Sequence, residues 1–154
     1  MGKLNKKELA YNKRLEEIKL ISTFMGCRLV YNPSGTLFVG HIDMFDIENF
    51  ECTKKELKKM FNDGHLDAWF IHQDAIQYDS DWDVLMDIVG AIESLGYTST
   101  IEKMHGNYEM HRVWFNNTNT YAEVANGSRD EEKIQAVYEA VVDFINWYNN
   151  TNGK

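Results

Sequence analysis

Hydrophobic positions recur with a helical period in two early parts of the chain. Between residues 5 and 25 the apolar side chains fall close to one stripe, charged side chains fill most other positions, and Gly26 stands where such a helix would end. Residues 80–95 carry a second apolar stripe, which Gly96 closes. An apolar repeat of about 3.6 residues is typical of a helix with one buried face. We therefore predict a helix over each stretch.

Two further helices are indicated by start and stop signals. Ser128 and Glu131 match a capping box, and the apolar stripe that follows predicts a helix to about Tyr148. The sequence T-K-K-E at 53–56 is another capping box, ahead of a short helical pattern that Gly64 would end. We therefore predict one helix from its capping box and buried stripe, and the other from its capping box and glycine stop.

Between the helices the pattern favours strands. Two β-prone runs flank the turn signal N-P-S-G at 32–35, and residues 97–104 and 108–115 flank a His-Gly-Asn turn, so we predict two hairpins. A strand or an extended connection is expected over 65–77. Residues 116–125 are polar and are predicted to form a loop.

The order of these elements predicts the fold class. Hairpins imply antiparallel pairing and not the crossover connections of a parallel sheet. We predict an α+β fold, a two-layer sandwich in which an antiparallel sheet of hairpins packs against helices on one face. The 154 residues suit a single domain. Its expected parts are an N-terminal helix (1–26), a hairpin with a variable insertion (27–77) and a helix-hairpin-helix module (78–150).

Charge narrows the choice of partners. Residues 1–28 hold seven Lys/Arg and three Asp/Glu, a net charge of +4, whereas the remainder holds nine and twenty-one, a net charge of −12. Affinity for nucleic acid comes largely from neutralising phosphates. An acidic body is poorly suited to that task, so we do not expect a nucleic-acid partner.

The sequence also bears on the compartment. No apolar run approaches the length of a membrane span, and no signal-peptide pattern is present. Cys27 and Cys52 do not form a C-x-x-C motif and are expected to be reduced thiols. These features predict a protein of the cytoplasm, without a membrane partner.

The acidic run at 78–90 resembles the start of a calcium-binding loop, because three aspartates alternate in it. A loop of that kind that began at Asp79 would need glycine at its sixth position and a bidentate glutamate at its twelfth. Val84 and Gly90 stand there instead. Ser80 and Asp83 match a capping signal, so we interpret the run as a helix start that Ser80 caps.

No motif in the chain carries recognisable catalytic chemistry. The five histidines show neither H-x-x-x-H nor H-E-x-x-H spacing, and there is no phosphate-binding glycine loop and no G-x-S-x-G nucleophile elbow. Cys27 lies among apolar neighbours in a predicted strand, where inert packing is expected. We predict no catalytic residue, no metal and no cofactor.

The stretch MHGNYEMHRVWF at 104–115 is the best candidate for binding. Tyr108, Arg112 and Trp114 share one face of the predicted strand, and His111 lies on the other. Tyrosine, arginine and tryptophan are enriched at interface hot spots. The alternative is a structural sheet with a cross-strand aromatic ladder. The candidate residues for a ligand or partner are Trp82, His105, Tyr108, His111, Arg112 and Trp114.

Two segments carry a resemblance to a known group of proteins. YDSDWDVLMDIVGAIESLGY (78–97) and EEKIQAVYEAVVDFINWYNN (131–150) resemble segments of the type SWDWLMPVVEKIESLGY and KIEAVYxAVVEFIKWYN in small uncharacterised proteins of Bacteroidetes phages and prophages. Here Val84 replaces a tryptophan and Asp87 a proline. The resemblance implies an origin and a fold. It implies no activity and no functional residue.

Three hypotheses of function follow. The first is a non-enzymatic phage or prophage accessory protein that binds a host component, with counter-defence as a suggested role and homo-oligomerisation left open. The second is a sponge that sequesters a nucleotide-type immune signal through Arg112, Tyr108, His111 and Trp82. The third is an enzyme with an unrecognised site, for example His111 with Asp43 or Glu109.

Overall fold

The computed structural model describes residues 3, 5–31, 34–40, 70–104 and 110–152. These residues belong to two compact units, Met1–Ile76 and Gln77–Lys154. The short helix predicted over 53–64 lies outside the described residues, and so do His105 and Tyr108. The prediction of a single domain stays a prediction.

The first unit begins with helix α1, Lys6–Phe24. Its start is fixed by a capping box, in which the Glu8 backbone N–H donates to the Asn5 side chain and the Asn5 N–H donates to the Glu8 carboxylate, both at 2.9 Å. Gly26, with φ +76°, follows the helix in a left-handed conformation that favours glycine. The predicted helix is confirmed together with its glycine stop.

An antiparallel sheet follows α1 in the first unit. Its strands are β1 (Leu29–Tyr31), β2 (Leu37–Gly40) and β3 (Phe70–His72), in the order β1-β2-β3. The predicted first hairpin is therefore confirmed, and every residue of β2 is buried. The Leu37 N–H donates to Gln73 Oε1 at 2.7 Å, which ties β2 to the 3₁₀ turn after β3.

The described part of the second unit contains two helices and three strands. They are α2 (Trp82–Ser94), β4 (Tyr97–Met104), β5 (Met110–Asn117), β6 (Glu123–Asp130) and α3 (Lys133–Thr151). The strands form an antiparallel sheet in the order β4-β5-β6. Together with the first unit, this arrangement confirms the α+β class, although the described strands form two three-stranded sheets and not one.

Phe144 of α3 lies at the centre of the second unit's core. Its ring centroid is 5.1 Å from that of Phe115 on β5 and 4.9 Å from that of Tyr97 on β4. Phe144, Phe115 and the nearby Val113 are all buried. Burial of a side chain of this size stabilises a fold by about 1.5–3 kcal/mol. The helix α3 therefore covers the sheet face that carries Phe115.

The third strand of this sheet was not predicted. Residues 116–125 were expected to be a loop and Ser128 a helix cap, but Ser128 lies within β6 and α3 begins only at Lys133. Glu132 is the N-cap residue of α3, and its side chain makes no capping hydrogen bond. The sequence EVANGSRD has few β-branched residues. Its strand conformation therefore depends on pairing with β5. Such a long-range contact cannot be predicted from local β propensity.

The interpretation of the acidic run as a helix start is confirmed, but the capping residue is different. Asp81, and not Ser80, is the N-cap of α2, and its Oδ1 accepts from the N–H groups of Asp83 at 3.0 Å and Val84 at 3.3 Å. The Ser80 N–H donates to the Gln77 carbonyl at 3.2 Å. Ser80 therefore belongs to the turn that precedes the helix.

The two longest helices, α1 and α3, have 19 residues each. That length is close to the roughly 20 residues of a transmembrane helix. Both helices carry charged side chains along their length. Within the described ranges, no helix combines the length and the apolar character needed to cross a bilayer.

The capping assignment predicts a difference between two neighbouring variants. Asp81→Ala removes the acceptor for two backbone N–H groups and should lower the free energy of unfolding by about 1 kcal/mol. Ser80→Ala removes no helix cap and should change it by less than about 0.5 kcal/mol. Urea denaturation followed by circular dichroism measures both. A larger loss for Ser80→Ala than for Asp81→Ala would contradict the assignment.

Candidate functional site

One face of the second sheet carries polar and aromatic side chains. Along β5, Val113 and Phe115 point to the buried face, so Arg112 and Trp114 point to the opposite one. Strand register places further residues on that opposite face. We call it the polar face, and it comprises Thr98, Thr100, Glu102, Met104, Met110, Arg112, Trp114, Asn116, Glu123 and Arg129.

Three residues of the polar face form a fixed cluster. The guanidinium carbon of Arg112 lies 4.3 Å from the centroid of the Trp114 ring, within the range of a cation–π interaction. Arg112 Nη2 also donates to Glu123 Oε1 at 2.8 Å. The side chains of Arg112 and Glu123 are 31% and 41% exposed. We call this set the Arg112 cluster, and it holds an arginine and a tryptophan in one geometry at the surface.

The candidate residues named from the sequence do not all converge. Arg112 and Trp114 are in contact, as their shared strand face predicted. His111 lies on the other side of β5, in register with Lys103 and Asp130. Trp82 is the first residue of α2 and is 40% exposed. His105 and Tyr108 lie outside the described residues.

A bulge interrupts the pairing of β6 with β5. Val113 is in register with Ser128, and Phe115 with Val124, so three residues of β6 stand opposite one residue of β5. Two residues of the bulge have a left-handed backbone, Ala125 with φ +58° and Gly127 with φ +70°. A Cβ atom on Gly127 would lie 2.7 Å from the Val113 carbonyl oxygen. The conformation therefore favours glycine at this position, and the close approach of the Val113 carbonyl requires it.

Asp143 of α3 holds the bulge. Its Oδ2 accepts from the Asn126 N–H at 2.7 Å and from the Gly127 N–H at 3.1 Å. These N–H groups lie where the ladder to β5 is broken, so the carboxylate supplies a partner that the sheet does not. The sequence does not predict this contact, because Asn126-Gly127 has the pattern of a turn and Asp143 lies 16–17 residues away along the chain.

An open cleft lies between the bulge and α3. Its volume is about 470 Å³. The lining residues are Ala125, Asn126, Asp143, Asn146, Trp147 and Asn150. The Trp147 ring is half-buried and lies edge-on to Tyr97, with 5.9 Å between ring centroids. The cleft therefore combines polar side chains, mostly amides, with one fixed aromatic ring.

The described residues do not test the two pairs that the enzyme hypothesis names for His111. Asp43 and Glu109, which were named with it, lie outside them. Over the ranges that the structure covers, there is no group of three or more His, Cys, Asp or Glu side chains that could hold a metal ion. The hypothesis stays a prediction.

Comparisons of the chain with models of protein families, with curated proteins and with solved structures found no match. The resemblance to phage and prophage proteins stays a prediction. What supports a function is therefore the geometry of the polar face and of the cleft.

The bulge geometry predicts an unequal effect of two glycine substitutions in the second unit. Gly127→Ala should lower the free energy of unfolding by about 2–4 kcal/mol, because a strained backbone and a steric overlap add together. Gly96→Ala is the matched control, since Gly96 has φ +98° but no heavy atom within 4 Å of an added Cβ. Its cost should be about 1 kcal/mol.

Urea denaturation of both glycine variants measures the difference. Equal costs would contradict the close approach of Gly127 to the Val113 carbonyl.

Proposed function

We propose that this protein is a non-enzymatic accessory protein of phage or prophage origin that binds a host protein through the polar face of its second sheet. The site of action is the host cytoplasm, and interference with host defence is the role that such an origin suggests. The observation that carries the proposal is the Arg112 cluster, in which an arginine and a tryptophan are held together at the surface.

The fixed geometry of the cluster supports a binding role. Interface hot spots are enriched in tryptophan and arginine. Immobilising a side chain of this kind on association costs roughly 0.5–1.5 kcal/mol. Glu123 and Trp114 already restrain Arg112, so much of that cost is met before a partner arrives. A partner would gain contact with the Trp114 ring at a reduced entropic cost.

The charges of the polar face indicate what the partner would present. Arg112 is paired with Glu123, whereas the exposed Arg129, in register with Arg112, makes no ion pair with another described residue. Arginine binds carboxylates through a planar, bidentate geometry. We therefore propose a partner that places a carboxylate against Arg129 and an apolar or aromatic group against Trp114.

The same cluster is less well suited to the nucleotide sponge. A phosphate bound to Arg112 would have to displace Glu123 or lie beside its negative charge. Like charges at such short range raise the free energy of the complex. A protein partner needs no such displacement, which is why we place it first and keep the nucleotide ligand as the alternative.

The test is a binding experiment with matched variants. The full chain is immobilised, and proteins that bind it are enriched from a Bacteroidetes host lysate and purified. Each purified protein is then titrated against the wild type and the Trp114→Ala, Arg129→Ala and Met86→Ala variants. Loss of a central hot-spot residue costs about 2 kcal/mol or more, so Trp114→Ala should weaken binding by at least about thirtyfold. Met86 is an exposed apolar residue of α2, and Met86→Ala should leave the affinity within about twofold.

Two results would overturn the proposal. One is unchanged affinity for the folded Trp114→Ala and Arg129→Ala variants, and the other is the absence of any purified host protein that rebinds the wild type. A rise in Tm with a cyclic nucleotide at about 1 mM, abolished by Arg112→Ala, would favour the sponge instead.

A further inference from the structure

The cleft between the β6 bulge and α3 has a composition that selects among ligand classes. Asp143, Asn146, Trp147 and Asn150 follow one another at helical spacing, so they project from one side of α3. Asn126 faces them from the bulge. The volume of about 470 Å³ lies within the range of about 300–1,000 Å³ that is usual for small-molecule sites.

The polar groups of the cleft are available to a ligand. The side chains of Asn126, Asn146 and Asn150 make no hydrogen bond with any residue that the structure describes, and all three are exposed. Each amide has two N–H donors and a carbonyl acceptor. Asp143 uses one oxygen, Oδ2, for both bulge N–H groups, which leaves Oδ1 as an acceptor.

The lining also disfavours other ligand classes. Among the residues that the structure describes, the lining contains no lysine, arginine or histidine, and the Asp143 carboxylate would repel a phosphate or carboxylate group. The apolar surface that the described lining offers consists of Ala125 and the Trp147 ring, which is too little for a lipid or a largely hydrophobic ligand. A neutral ligand with several hydroxyl groups fits best, because each hydroxyl both donates and accepts as the amides do.

The Trp147 ring completes this chemistry. It is half-buried and packs against Tyr97 and Phe144, with centroid separations of 5.9 and 5.6 Å, so its position is fixed before a ligand binds. A pyranose ring has an apolar face of C–H groups that can lie on an aromatic ring while its hydroxyls reach polar side chains. We propose that this cleft is a binding site for a neutral saccharide, distinct from the polar face.

Titration of the isotope-labelled full chain, followed by ¹H–¹⁵N NMR, tests the proposal. The probes are glucose, galactose and N-acetylglucosamine, and the methyl β-glycoside of each, in which the anomeric hydroxyl is blocked as it is within a glycan. At least one probe should bind with a Kd of about 1–10 mM, as expected of a shallow site. The shifts should concentrate on the side-chain amides of Asn126, Asn146 and Asn150 and on the Trp147 indole N–H.

Comparison of the two sets of probes distinguishes the possible sources of the sugar. Preference for the methyl glycosides would indicate a glycan chain, and preference for the free sugars a small ligand. Either preference supports the site.

Variants and a charged probe sharpen the result. Asn146→Ala combined with Asn150→Ala removes exposed side chains and should weaken binding by about tenfold or more, with the fold intact. Gln135→Ala, which removes an amide from another part of the same helix, should leave binding unchanged. Glucose 6-phosphate should bind at least about tenfold more weakly than glucose, because of Asp143.

Absence of any shift with all six neutral sugars at about 50 mM would overturn the proposal. Shifts located away from the cleft, or binding that the double asparagine variant does not weaken, would overturn it equally.

Discussion

One carboxylate oxygen organises the second unit: Asp143 Oδ2 accepts from the backbone N–H groups of Asn126 and Gly127. The strand β6 contains a bulge whose backbone cannot follow the ladder to β5. Without Asp143, two backbone donors would lose their protein partner. Water can replace it at the exposed Asn126 N–H, so the larger cost would fall on the partly buried Gly127 N–H. The contact therefore fixes β6 to α3 as well as closing the bulge.

Both proposed surfaces depend on this contact. The bulge sets which residues of β6 stand beside β5. With this register, Glu123 Oε1 lies 2.8 Å from Arg112 Nη2, and Arg129 is the residue of β6 opposite Arg112. It also turns Asn126 toward α3, where the cleft lies. The polar face and the proposed saccharide cleft use different side chains, so the two proposed ligands would bind at separate sites.

Much of the local structure could be predicted from the sequence. The helix over 80–95 follows from its apolar stripe, which is buried, and from its glycine stop. The helix over 5–25 follows from its glycine stop and from a stripe that is fully buried only at Ile18 and Ile21, whereas Leu9 of the same stripe is 54% exposed. The shared face of Arg112 and Trp114 follows from strand alternation alone. What could not be predicted depends on residues far apart. The strand β6 exists through pairing with β5, and the cleft exists through a contact of Asp143 with residues 16 and 17 positions away.

Amide hydrogen exchange at Asn126 and Gly127 tests the central claim most directly. In the wild-type chain both amides should exchange at least about tenfold more slowly than in an unstructured peptide, since each donates to Asp143. In the Asp143→Ala variant both should lose this protection together, while the Val113 amide in the core of β5 keeps its own. Rapid exchange of the two amides in the wild type, or unchanged protection in the variant, would contradict the account.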